Sequence, residues 1–170
     1  PVYGKAGTGM KDMKRINRIW KHPMYQECLK KIAECERNRE FCRHTPEHFL
    51  DVARITLLLA FEEGIEAEKE VVYAAGLLHD IGRFRQYEEG IPHEQASVEL
   101  AGKILEDCTF TEAEKEEILT LIRGHRTQGS GKGMQTLFYR ADKLSRNCFS
   151  CPACAACDWS EEKKNLEIKI

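Results

Sequence analysis

Long hydrophobic runs are absent from this sequence. The longest apolar stretches, around Ile55 to Phe61 and Val71 to Leu78, fall well short of the ~20 residues a bilayer-spanning helix needs. Missing too is the series of basic residues, apolar segment and small-residue cleavage site that marks a secretory signal, so a soluble, cytoplasmic protein is expected. No segment sustains the alternation of apolar and polar residues that makes a half-buried strand, and no unit of about 20 to 50 residues recurs. These absences argue against sheet folds and solenoids.

What is present is enough for a core. With 170 residues and 42% apolar content, the chain has the size of one globular domain that folds without cross-links. The net charge of −2 is unevenly spread: residues 1 to 45 carry eleven Lys or Arg against five acids, and the rest fifteen against twenty-three. The basic end is read as a solvated helix face, and no nucleic-acid partner is expected.

The apolar positions recur with helical period throughout. A first helix pair is expected at about 11 to 20 and 23 to 38, flanking the body of the protein. Thr45-Pro46 forms a helix start, Thr as cap and Pro at the first helical position, ahead of an apolar run that Gly64 stops. A central helix from about Ala67 to Gly82 is apolar nearly all round and so is expected to be buried. Pro92 opens another, Thr111 and Glu114 make a capping box for the next, and Met134 to Leu144 reads as a further helix. Residues 128 to 133 read as a flexible glycine-rich loop, and the turn-rich Pro1 to Gly9 as an extension outside the fold. The expectation is an all-α protein with residues 1–45 as extension and flanking helices, 46–146 as core and 147–170 as a Cys-rich tail.

The chemistry concentrates in Leu78-His79-Asp80-Ile81-Gly82-Arg83, where two metal-competent side chains end an apolar helix. A buried carboxylate without a partner costs several kcal/mol, and a divalent cation would offset that cost. A His-Asp pair alone is also what a satisfied core histidine looks like. Here, however, His48 lies upstream, four residues before Val52-Ala53, and Asp142 lies downstream in Tyr-Arg-Ala-Asp-Lys-Leu, each set among apolar or small neighbours.

In this order and with these flanks, His48, His79-Asp80 and Asp142 resemble the signature of the HD superfamily of metal-dependent phosphohydrolases over about 46 to 146. The resemblance implies an all-helical HD-domain bundle with those four residues as metal ligands. His93 and His125 lie where two-metal members hold extra histidines, and the stretch Ile118 to Leu144 is similar to the branch that hydrolyses dinucleoside polyphosphates. His44 is expected beside the site or at the surface, and His22 apart from it.

A divalent metal lowers the pKa of bound water from ~15.7 toward ~7 and polarises a phosphoryl oxygen. The expected activity is therefore hydrolysis of a nucleotide or other small phosphate ester by metal-bound hydroxide. Asp80 and Arg83 are the catalytic candidates. Nitrogen and oxygen donors suit Fe, Mn, Co, Ni or Zn, in one or two ions, better than Ca. Arg83, Arg126, Arg140, Lys143 and Arg146 are the candidate phosphate clamp. An HD-type di-iron oxygenase, and a non-catalytic nucleotide-binding or redox-sensing module, are the alternatives.

Cys148, Cys151, Cys154 and Cys157 recur at every third residue. Such turns can present thiolates to a structural zinc. A ferredoxin-type cluster would have three residues before the last Cys and a Pro after it; here the gap is two and Asp158 follows. Free thiols or disulfides are the remaining options, with Cys28, Cys35 and Cys42, seven residues apart, read as lining one helix face.

Overall fold

The computed structural model describes residues 12–126 and 133–169. The opening segment Pro1 to Gly9 and the glycine-rich loop through Lys132 lie outside them. Eight helices follow one another: α1 Lys14–Lys21, α2 Pro23–Cys35, α3 Pro46–Glu63, α4 Lys69–Leu78, α5 Arg83–Glu89, α6 His93–Glu106, α7 Glu112–Gly124 and α8 Met134–Leu144. Two 3₁₀ turns, Cys148–Ser150 and Cys154–Ala156, complete the described chain. No strand occurs among the described residues, and no helix is long and apolar enough to cross a membrane.

Local chemistry sets the helix ends. α3 starts at Pro46 after an extended Thr45 and stops at Gly64, which adopts φ 66°. The Thr45 side chain makes no capping bond, contrary to expectation, so Pro46 with its fixed φ sets this start. α7 opens on the expected capping box, the Thr111 side chain accepting from the Glu114 amide while Glu114 accepts from the Thr111 amide. α2 ends at Cys35 rather than near 38, where the chain turns and buries the Glu36 carboxylate.

α4 is the centre. Val71, Val72 and every residue from Ala74 to Leu78 are buried, and each large side chain so placed contributes about 1.5 to 3 kcal/mol. It packs against α3 and α7, while α3 also packs against α8 and α6 against α7. Two glycines permit the close approaches. A Cβ on Gly76 would lie 2.8 Å from the Phe49 carbonyl oxygen, and one on Gly82 would lie 2.4 Å from the Ser97 amide nitrogen. α3 and α6 can therefore press on the segment that carries His79 and Asp80.

α5 is the element that sequence reading did not separate. Its one buried side chain is Phe84, too weak a periodic signal to stand out beside α4. The flanking pair is integral to the body: Ile16, Ile19, Tyr25, Cys28 and Ile32 join the common core. Arg15 binds Glu70 at 2.5 Å and Glu114 at 2.6 Å, so this cation of the basic end is paired across elements rather than solvated.

The tail is fastened to the end of α8. The Asn165 side-chain amide donates to the carbonyls of Lys143 (2.7 Å) and Arg146 (2.9 Å), and the Phe149 amide donates to the Asn165 carbonyl at 2.8 Å.

Candidate metal centre

Four histidines from four places in the chain are tethered through Nδ1. His79 and His125 each follow a helix, and each donates to the carbonyl three residues back, Gly76 at 2.8 Å and Ile122 at 2.6 Å. These are helix-end carbonyls that would otherwise need a partner. His48, in the first turn of α3, is tied through Nδ1 to Ser145 Oγ at 3.0 Å, and that hydroxyl donates to the Asp142 carbonyl at 2.8 Å. His93, first in α6, has its Nδ1 2.8 Å from Gln86 Oε1 and 3.0 Å from Arg83 Nη1. In each ring the nitrogen turned toward the others is Nε2, one of the two atoms through which an imidazole binds metal.

All four Nε2 atoms converge on Asp80. Its Oδ2 lies 3.3 Å from His79 and 3.9 Å from His48. Its Oδ1 lies 3.2 Å from His93 and 3.6 Å from His125. Asp142 Oδ1 sits on the first side only, 3.4 Å from His48 and 3.7 Å from His79. The donors fall into two sets, His48 with His79, Asp80 and Asp142, and Asp80 with His93 and His125, the atoms of each set within 4.8 Å of one another. Asp80 belongs to both. The structure thus brings all six predicted donors together, every one buried.

Electrostatics favour a cation here. Burial pushes His48 and His93 down to about 3, which keeps both rings neutral and able to ligate. Burial also opposes charge on His79, but Asp80 and Asp142 push it up to about 9. Burial alone would raise Asp80, yet the ring of histidines, His79 first, holds it well below the carboxylate range. Two buried carboxylates thus demand positive charge. His79 Nε2 and Asp80 Oδ1 are moreover buried polar atoms with no hydrogen-bond partner among the described residues. Both observations fit a divalent ion of borderline softness.

Of the two positions expected for His44, beside the site or at the surface, the structure shows the first. It is 5% exposed, and its Nε2 lies 3.5 Å from Asp80 Oδ2. Its Nδ1 is bound to Glu36, whose other oxygen accepts from the His44 amide at 2.7 Å. Nε2 in turn accepts from Arg83, 3.2 Å from Nε and 3.0 Å from Nη2, and His44 belongs to neither set of clustered donor atoms described above. Arg83 Nη1 donates to Gln86 at 2.8 Å. Glu36, Gln86 and Ser145 are participants that sequence reading missed. None sits in a motif, and Glu36 ends a helix on the far side of a turn. His22 stands apart as expected, capping α2 and pairing with Asp107 at 3.0 Å.

A cavity of about 980 Å³ opens onto Asp80, His93, His125 and Asp142. Its walls carry Arg39, Arg83, Arg126, Arg140, Lys143, Arg146, Lys163 and Lys169, eight cations against the five carboxylates of Glu62, Asp80, Asp142, Asp158 and Glu162. Since Asp80 and Asp142 belong to the metal-donor sets, the open part of the cavity is cationic and suited to an anion. Lys143 binds Asp142 Oδ2 at 2.5 Å, Arg146 Nη2 donates to His48 Nε2 at 2.9 Å, and Arg140 pairs with Glu63. Arg126 is half-exposed, 4.0 Å from Glu94. Arg39, Lys163 and Lys169 were not foreseen, because they lie far from the motifs in sequence.

The chain is similar to known proteins in sequence and in fold. The family model for the HD domain matches residues 45–164. A Clostridium beijerinckii protein is 46% identical across 92% of this chain and 99% of its own. Ribonuclease Y 1 of Pediococcus pentosaceus is 36% identical across 74% of this chain and 27% of its own, so the chain spans about a quarter of that enzyme. The crystal structure of a predicted HD superfamily hydrolase from an uncultured Thermotogales bacterium shares the fold, with a TM-score of 0.56 and 23% identity over 83% of this chain and 81% of that one.

Proposed function

Because the chain belongs to the HD-domain family, and because Asp80 joins two donor sets beneath a cationic cavity, we propose that it is a metal-dependent phosphohydrolase holding two divalent ions and acting on a nucleotide or other small phosphate ester. The sharing of Asp80 is the observation that carries this reading. His48, His79, Asp80 and Asp142 would hold one ion, and Asp80, His93 and His125 the other. Such ions supply Lewis acidity and bring the pKa of a coordinated water toward neutrality.

The protein's own groups do the rest. Asp80 holds the two donor sets in register, and Gln86 and Ser145 fix the rings of His93 and His48. Arg83, steered by His44 and Gln86, presents a planar fork to phosphate oxygens. Arg126, Lys143 and Arg146 line the same cavity and neutralise the remaining negative charge. The ribonuclease Y relatives, named for cleaving RNA, support phosphate-ester chemistry, while the cavity size suits a nucleotide. The cationic walls weigh against a phosphate-free oxygenase substrate.

The test is release of phosphate or nucleoside from a panel of mononucleotides and dinucleoside polyphosphates, with Mn, Co, Fe, Ni or Zn added singly. The native protein is expected to turn over at least one substrate with one metal, and Asp80→Ala to turn over none. No turnover across the panel, or equal turnover by both proteins, would sink the proposal.

A further inference from the structure

One cluster of reactive side chains plays no part in that site. Cys148, Cys151, Cys154 and Cys157 sit on successive turns: the amide of Cys151 donates to the Cys148 carbonyl (3.1 Å), that of Cys154 to Cys151 (3.1 Å) and that of Cys157 to Cys154 (3.3 Å). Bonds from each residue to the one three places back bring side chains three apart onto one side. The thiols are thus delivered in a row. Phe41 and Cys42, from far upstream between α2 and α3, line the same small cavity, together with Trp159 and Lys164 of the tail itself. Cys42 therefore leaves the helix face expected to hold it with Cys28 and Cys35.

All five thiols are free, and none is exposed. Burial pushes the Cys42 thiol up; Arg146 pulls it back, and Cys148, Cys151 and Cys157, which line the same cavity, push it further. The space the thiols enclose is about 10 Å³, room for one water-sized guest. A four-iron cluster is larger than that, and the spacing departs from the ferredoxin pattern. A single soft ion with tetrahedral thiolate ligation matches the donors, and its binding would draw together sulfurs of which no three lie within 4.8 Å of one another among the described residues.

We propose that this chain binds one structural zinc ion through four of these five cysteines, Cys42 among them. Binding displaces the thiol protons into solvent, and Lys164, whose ammonium pairs with Glu161 at 2.8 Å, lines the same cavity. The ion ties the tail to the segment before α3. Cys157, Asp158 and Trp159 also line the large cavity over Asp80, so the zinc holds one wall of that cavity in place without touching the His and Asp donors.

The experiment uses the full chain, purified without chelator. Zinc released by a thiol-specific mercurial is measured, because that reagent frees thiolate-held zinc and spares metal on His and Asp. About one equivalent is expected from the native protein and from Cys35→Ser, a control outside both sites, and under a tenth of that from Cys42→Ser with its helical circular dichroism retained. Should Cys42→Ser fail to fold, Cys42→His decides, since it keeps a zinc-competent donor. It is expected to bind zinc and, after cobalt substitution, to show a weaker thiolate charge-transfer band than the native protein. Full zinc in Cys42→Ser, an unchanged cobalt band in Cys42→His, iron with acid-labile sulfide, or a disulfide in place of metal would each overturn the proposal.

Discussion

Ser145 shows how much of the candidate site rests on residues that offer it no donor. Its hydroxyl holds Nδ1 of His48 and is itself held by the Asp142 carbonyl, so it links two members of one donor set. Removing such a partner typically costs about 10- to 100-fold in metal affinity. Ser145→Ala is expected to weaken metal binding by that factor in a chelator competition while leaving the circular dichroism spectrum unchanged; native affinity would refute the role. Glu36 makes a second prediction at this scale. Burial opposes its charge, but bonds from His44 and Tyr87 outweigh burial and hold the carboxyl at about 2. A carboxyl lowered on folding stabilises fully above the ordinary value near 4.3, and that stabilisation is lost as pH falls toward 2. Urea unfolding of the native protein is expected to lose up to about 2 kcal/mol between roughly pH 5 and 2 that Glu36→Gln does not lose; parallel profiles would contradict this. Four of the six candidate donors were legible in the sequence because each is a polar residue among apolar or small neighbours, and His93 and His125 through the family resemblance. Glu36, Gln86 and Ser145 were not, because a partner is defined by what it touches.

At the scale of elements, the approach of α3 to α4 decides whether His48 and His79 can reach one ion. Gly76 is the point of closest contact, with no room for a methyl group between it and the Phe49 carbonyl or the Ala53 Cβ, 2.8 and 2.9 Å from where a Cβ would stand. Gly76→Ala is expected to destabilise the protein by about 1 to 3 kcal/mol and to loosen metal binding, both readable by thermal melts with and without added metal. An unchanged melting temperature would show that the helices can part without cost. Helix number and type were largely legible, since apolar period and capping residues agree along most of the chain. α5 escaped because its seven residues bury one side chain, and a periodicity cannot be counted from a single apolar position.

For the whole molecule, metal bound at the junction of α3, α4, α6, α7 and α8 would be worth RT ln(1 + [M]/Kd) to the folded state, about 2.7 kcal/mol at a hundredfold excess over Kd. For a chain of this size, chelation is then expected to lower the melting temperature by roughly 5 to 10 °C, and Asp80→Ala to lose that metal-dependent shift. An equal shift in both proteins would place the stabilising ion elsewhere. The cavity above the site draws its cations from α5, α8, the tail and the turns after α2, α7 and α8, which is why a basic end read from composition, of which only Arg39 lines the cavity, could not point to it.

The bonds of His44 bear on where the functional unit begins. The family pattern starts at Thr45, yet the carboxylate that orients His44, and through it Arg83, sits upstream on Glu36. A fragment cut at the pattern's edge would keep every candidate metal donor but lose Glu36, His44 and the core side chains of α1 and α2. The border of the recognisable motif and the border of the working machine do not coincide in this protein.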